Sequence, residues 1–299
     1  MKCIIKNHRA LILWVIFVLT VAIGVSDITG SFLTSSSENH SIDFARILSG
    51  LAFLLAVALL ILHASWTLGY NRGIAFILLA ALTGFIFEIV GVNHGVIFGG
   101  HYVYQGIGGL AISGVPCLIP LYWSAFIYAG YNIVSSFLLW INKDKPCKHG
   151  DNAILLPLLI FLDGLVVVSI DIFMEPLQVV AGNWIWLDGG YYYGIPLGNF
   201  AGWFVVAIVS TGIFRVFEYL WPHKSTSINK SVFLIPVIGY AALCLIFLFL
   251  AILIQLPELA LTGSLVMFPV VIANLILFFN WKRNSKATMQ LSERIDRMQ

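Results

Sequence analysis

The chain has 299 residues, of which 60% are hydrophobic, 14% aromatic and 10% charged, with mean hydropathy +0.95 and a formal charge of +2. A water-soluble domain carries about 25% charged residues, so the composition excludes one, and with it a disordered chain, a nucleic-acid binder and a disulfide scaffold. It fits a polytopic membrane protein with short loops, because a bilayer-crossing helix takes roughly 20 apolar residues and eight take about 160.

Taken in chain order, the apolar runs predict an all-α transmembrane bundle of about eight helices. They lie at about 10–25, 44–66, 73–92, 116–140, 153–175, 198–220, 232–255 and 259–281. The first run follows Lys2, Lys6 and Arg9. No small-residue cleavage site with a soluble domain follows it, so it reads as a retained span rather than a signal peptide. Numbering the loops alternately puts every Lys and Arg on one side except Arg46, out of 16. By the positive-inside rule both termini are then cytoplasmic, in a multi-pass protein of the cell membrane. An odd number of spans would move the basic tail, 282–299, to the other face.

Two loops on the opposite side, 93–115 and 176–197, contain no Lys or Arg and are rich in Gly and aromatic residues. That composition suits re-entrant or interfacial backbone. Gly106, Gly108 and Ala111 form a loose G-x-G-x-x-A, but it follows a membrane helix rather than a strand, so it is not a dinucleotide site. Cys3, Cys117, Cys147 and Cys244 are scattered and read as packing residues.

The two loop regions resemble each other. Gly100-His-Tyr102-Val-Tyr104 leads to Gly114-Val-Pro116 and Trp123, while Gly182-Asn-Trp184-Ile-Trp186 leads to Gly194-Ile-Pro196 and Trp203. Glu88 precedes Gly100 by 12 residues and Asp171 precedes Gly182 by 11. We therefore expect one integral membrane domain over 1–299, with parallel repeats at 73–140 and 153–220 related by an axis along the membrane normal. Such repeats set Glu88 and Asp171 across one cavity.

An ionisable residue within a span is costly and marks a site or a buried pair. Glu88, Asp163, Asp171 and Glu175 are the candidates. Asp171 and Glu175 stand four residues apart on one helical face, and Asp163 lies about 12 Å deeper than Asp171. No intramembrane Lys offers a counter-ion, and Arg215 with Glu218 reads as snorkelling near a helix end. A neutral carboxylic acid beside an ionised one forms an acid/base pair. His94 and His101, seven residues apart in a chain with seven histidines, are not a metal signature, and no metal is expected. Gly91, Gly95, Gly99, Gly198 and Gly202 read as close-packing positions.

At these residues the chain resembles the carotenoid biosynthesis membrane-protein family, which includes carotenoid 1,2-hydratases and bisanhydrobacterioruberin hydratases. The matching stretches are Glu88 with GGHYVYQG and GVPCLIPLYW, then DIFMEP and GNWIWLDGGYYYGIPLGNFAGW, over roughly residues 84–205. Where the family commonly reads W-D-x-x-x-D-P, this chain has Ile170-Asp171 and Glu175-Pro176. The resemblance implies addition of water to the terminal C=C of an acyclic C40 or C50 carotenoid taken from the lipid phase, with no cofactor because hydration is redox-neutral. It implies Asp171 as acid, Glu175 or Glu88 as the base that orients water, and Asp163 setting their proton sharing. Trp184, Trp186, Tyr102, Tyr104, Tyr192, His94, His101 and Asn199 would bind the substrate, with Trp184, Trp186 and the tyrosines shielding its cation. Membrane lipids and other carotenoid-pathway membrane enzymes are the implied partners. The competing readings are a non-catalytic carotenoid-binding subunit and a proton- or cation-coupled transporter.

Overall fold

The computed structural model describes the backbone of residues 2–33, 40–141, 149–222 and 228–298, and the side chains of 7–26, 47–141, 153–222 and 228–285. The basic residues Lys2, Lys6, Arg46, Lys143, Lys145, Lys148, Lys224, Lys286, Arg294 and Arg297 lie outside the described side chains, as do Cys3 and Cys147.

Among the described residues eight helices form the bundle: α1 (Lys2–Leu33), α2 (His40–Thr67), α3 (Tyr70–His94), α4 (Ile119–Ile141), α5 (His149–Val180), α6 (Leu197–Leu220), α7 (Leu234–Leu253) and α8 (Pro257–Met298). Each contains a stretch long and apolar enough to cross a membrane, so the all-α polytopic expectation holds. Between α3 and α4 lie three short strands, β1 (Tyr102–Tyr104), β2 (Ala111–Ile112) and β3 (Val115–Pro116). Strand β4 (Trp184–Trp186) follows α5, and a single 3-10 turn, Lys230–Phe233, leads into α7.

Local chemistry sets the helix ends. Helix α3 stops at Gly95, which adopts φ +67° and donates its N–H to Gly91 O, a left-handed cap that glycine takes without Cβ strain. Helix α6 begins directly after Pro196, whose backbone is extended. Pro176 inside α5 has no N–H to give the Ile172 carbonyl, and the Tyr192 hydroxyl donates to that carbonyl at 3.0 Å. A proline within a membrane helix is tolerated where a neighbour satisfies the freed group in this way.

One large core joins α3, α4, α5 and α6 to α7 and α8, while Leu13 and Phe17 of α1 pack with Ile235 of α7 in a second cluster. Polar side chains tie helices together, as expected where hydrophobic burial gives no advantage over lipid. Asn274 of α8 accepts from Trp140 Nε1 (2.9 Å) and donates to Ile133 O (3.0 Å) and Ser136 Oγ (2.6 Å) of α4. Tyr240 of α7 meets Ser169 of α5 at 2.5 Å.

Candidate active site

The site is built where the two glycine-rich loops meet. Strands β1 and β4 pair antiparallel with Tyr102 opposite Trp186, Val103 opposite Ile185 and Tyr104 opposite Trp184. Alternation along a strand sends the four aromatic side chains to one face, while Val103 and Ile185 are exposed. The cross-strand rings touch, with centroids 4.7 Å apart for Tyr102–Trp186 and 5.7 Å for Tyr104–Trp184. The ribbon is held over the bundle by a close approach of backbones: a Cβ on Gly99 or Gly198 would lie 2.7 or 2.6 Å from the other's Cα.

All four inward aromatics donate hydrogen bonds to two buried glutamates. Tyr102 and Tyr104 hydroxyls reach Glu88 Oε2 at 2.5 and 2.8 Å, and Trp123 Nε1 reaches Glu88 Oε1 at 2.9 Å. Trp184 and Trp186 both donate to Glu175 Oε1, at 2.6 and 2.8 Å, leaving Oε2 outside that pair of bonds. Burial and the adjacent Glu88 carboxylate push the phenols of Tyr102 and Tyr104 upward, so both stay protonated as donors. Trp123 and Trp203 lie against each other with ring centroids 4.1 Å apart.

Glu88 and Glu175 line a common cavity of about 420 Å³ whose walls are largely aromatic and aliphatic. Tyr102, Tyr104, Trp184, Trp186 and Asn199 line it too, as do Trp123, Trp203, Asn183 and Gln178. A concave, mainly apolar pocket with a few convergent polar groups is the usual form of a small-molecule site.

Four residues expected at the site stand elsewhere. His94 and His101 are exposed on the loop surface, and His101 is engaged with Asp188, whose Oδ2 accepts from the His101 amide (2.8 Å) and meets Nδ1 (3.0 Å). Those two bonds hold the Asp188 carboxyl below the usual carboxylate range. Tyr192 is committed to the Ile172 carbonyl rather than to the cavity. Asp163 belongs to a separate buried ion pair. Its two oxygens accept from Arg215 Nε at 2.5 Å and Nη2 at 2.7 Å, and the guanidinium also lies 4.4 Å over the Tyr131 ring. Arg215 is therefore an interior counter-ion, 6% exposed, and not a snorkelling side chain.

Asp171 is fully buried one turn before Glu175 but does not line the cavity. Its Oδ2 accepts from Asn199 Nδ2 at 2.6 Å, and its Oδ1 has no hydrogen-bond partner among the described residues. Glu175, rather than Asp171, shares the aromatic ribbon with Glu88. Trp123 as a donor to Glu88 was not anticipated, although its position nine residues after Gly114 matches that of Trp203 after Gly194. Among the described residues no group of three or more His, Cys, Asp or Glu is placed to hold a metal ion.

Fold and site together define a multi-pass membrane protein with a paired-glutamate cavity beneath an aromatic ribbon. The chain belongs to the carotenoid biosynthesis protein family, whose model matches residues 48–270 and so includes every residue of that cavity. This gives the protein a role in carotenoid biosynthesis. No curated protein and no solved structure matches the chain.

Proposed function

We propose that the protein is a carotenoid hydratase, a hydro-lyase that adds water to the terminal C=C of an acyclic C40 or C50 carotenoid such as lycopene or bisanhydrobacterioruberin. The observation that carries this reading is the contrast between the two glutamates of the cavity. Glu88 accepts three N–H and O–H donors spread over both oxygens, an environment complementary to a carboxylate. Among the described residues Glu175 accepts on Oε1 alone, so Oε2 is the oxygen that carries a transferable proton.

In the proposed reaction Glu175 gives that proton to the CH carbon of the R–CH=C(CH3)2 end. The π electrons form the new C–H bond and leave a tertiary cation, which faces the rings of Trp123, Trp184, Trp186 and Trp203. A water held by Glu88 attacks the cation, and Glu88 takes the released proton. The products are the tertiary alcohol and an enzyme that resets when the proton passes from Glu88 to Glu175 through pocket water. Asp171 acts as a positioning residue through Asn199, which lines the cavity.

Pigment analysis of cells making lycopene or bisanhydrobacterioruberin tests the reading. The wild type should yield a product one water heavier, and Glu175→Gln at equal membrane abundance should not. Unchanged pigment on both substrates with folded wild type would remove the hydratase reading and leave carotenoid binding in its place.

A further inference from the structure

A second cavity, about 370 Å³, opens between α1, α2, α4 and α7. It has two walls in common with the acidic cavity, Phe126 and Leu243. Its lining on α7 runs from Ile235 to Ile246, about 16 Å of helical rise, so it extends from the junction towards the end of the bundle opposite the aromatic ribbon.

The walls are almost entirely hydrocarbon. Four lining side chains carry a hydroxyl or a ring nitrogen, and each is already engaged within the protein. Thr20 donates to Ile16 O at 2.8 Å, and Tyr240 meets Ser169. His63 is bonded on both ring nitrogens, to Tyr128 OH at 2.6 Å and Val232 O at 3.0 Å. Among the described residues every polar side chain lining this cavity is already hydrogen-bonded within the protein, whereas the adjoining cavity offers Glu175. We infer that the second cavity is the binding channel for the polyene chain of the substrate whose reacting end lies between Glu88 and Glu175. A long linear hydrocarbon with one reactive terminus matches that order of surfaces: carboxylates in one cavity, the shared Phe126 and Leu243 walls, then a hydrocarbon-lined cavity. This assignment rests on the hydratase reading for the identity of the reacting end.

Two glycines allow the channel to be filled without a clash at Cβ. A Cβ on Gly24 meets nothing within 4 Å, and one on Gly239 meets only Phe17 Cε2 at 3.5 Å. Gly24→Leu and Gly239→Leu therefore place a side chain in the space the chain would occupy. Binding of lycopene to the full-length protein in lipid nanodiscs, read from the induced circular dichroism of the polyene band, should weaken at least about tenfold in both. Glu175→Gln should still bind lycopene while forming no hydrated product. The lipid-facing variant Leu265→Phe serves as control, and melting temperatures report folding.

Lycopene bound equally by wild type and by both folded channel variants would overturn the inference, with a bilayer acyl chain then filling the space. Absence of saturable lycopene binding by the wild type would overturn it as well. Binding lost in the channel variants, with no water adduct formed even by the wild type, would keep the channel and remove the hydratase reading. Hydration at the wild-type rate in the channel variants would do the reverse.

Discussion

Glu88 and Glu175 sit in the same cavity, yet their surroundings ask different things of them. Three donors converge on Glu88, so replacing Tyr102 by Phe removes a charge-assisted bond of 2.5 Å and should destabilise the protein by about 1–3 kcal/mol. Thermal unfolding in detergent measures this, and an unchanged melting temperature would contradict it. If the hydratase proposal holds, Glu88→Gln keeps the shape and loses the base, so turnover should fall at least about a hundredfold with lycopene affinity retained. Asp163 behaves otherwise. Asp163→Asn leaves Arg215 buried without its charge partner and should cost about 3–5 kcal/mol, whereas the double replacement by Leu at 163 and 215 should recover part of that loss. The difference between these variants was only partly legible in the chain. Sequence marks an acid in a span as exceptional, but the side of α6 that Arg215 occupies depends on packing against α4 and α5, which spacing alone does not record.

At the scale of elements, the β1–β4 ribbon is the device that brings two distant glutamates under one set of donors. The sequence showed its alternation, Tyr-x-Tyr and Trp-x-Trp, and the glycines around it. It did not show that the two segments pair with each other, because pairing joins residues about 80 positions apart and no local pattern encodes it. For the same reason the match of Glu88 with Asp171 by spacing gave way to the match of Glu88 with Glu175 by hydrogen bonding. Gly99 and Gly198 let the first loop cross the start of α6, so Gly198→Ala should force the backbones apart at a cost of about 1–3 kcal/mol, measurable as a lowered melting temperature. At the loop surface, Asp188 stabilises the ribbon through the His101 amide. Its depressed folded-state pKa means that this contribution is complete above the usual carboxylate pKa and is lost as pH falls through the lower folded value. The protection of the β1 and β4 amides, taken relative to the intrinsic exchange rate at each pH, should therefore fall at acid pH in the wild type, and Asp188→Asn should remove that pH dependence.

Across the whole molecule, polarity is graded: an aromatic and acidic cavity beneath the loops, a hydrocarbon-lined cavity beside it, and the Asp163–Arg215 pair held apart in the helix packing. The span count followed from composition because bilayer thickness fixes helix length. The cavities did not, since they form between helices whose rotations the apolar runs leave open. With the eight spans of the described residues the chain returns to the face from which it starts, and the positive-inside rule predicts that this face is cytoplasmic. A fluorescent protein fused after Gln299 should accordingly fluoresce, and a phosphatase active only outside the cytoplasm should be inactive at the same position.

The central claim, that Glu88 and Glu175 hydrate a terminal alkene, is tested most directly by a single turnover of lycopene in deuterium oxide enriched in oxygen-18, using the purified full-length protein in nanodiscs. Hydration predicts one non-exchangeable deuterium and one labelled oxygen in the product of the wild type, and neither with Glu175→Gln. An unlabelled product, or equal labelling by wild type and Glu175→Gln, would contradict it.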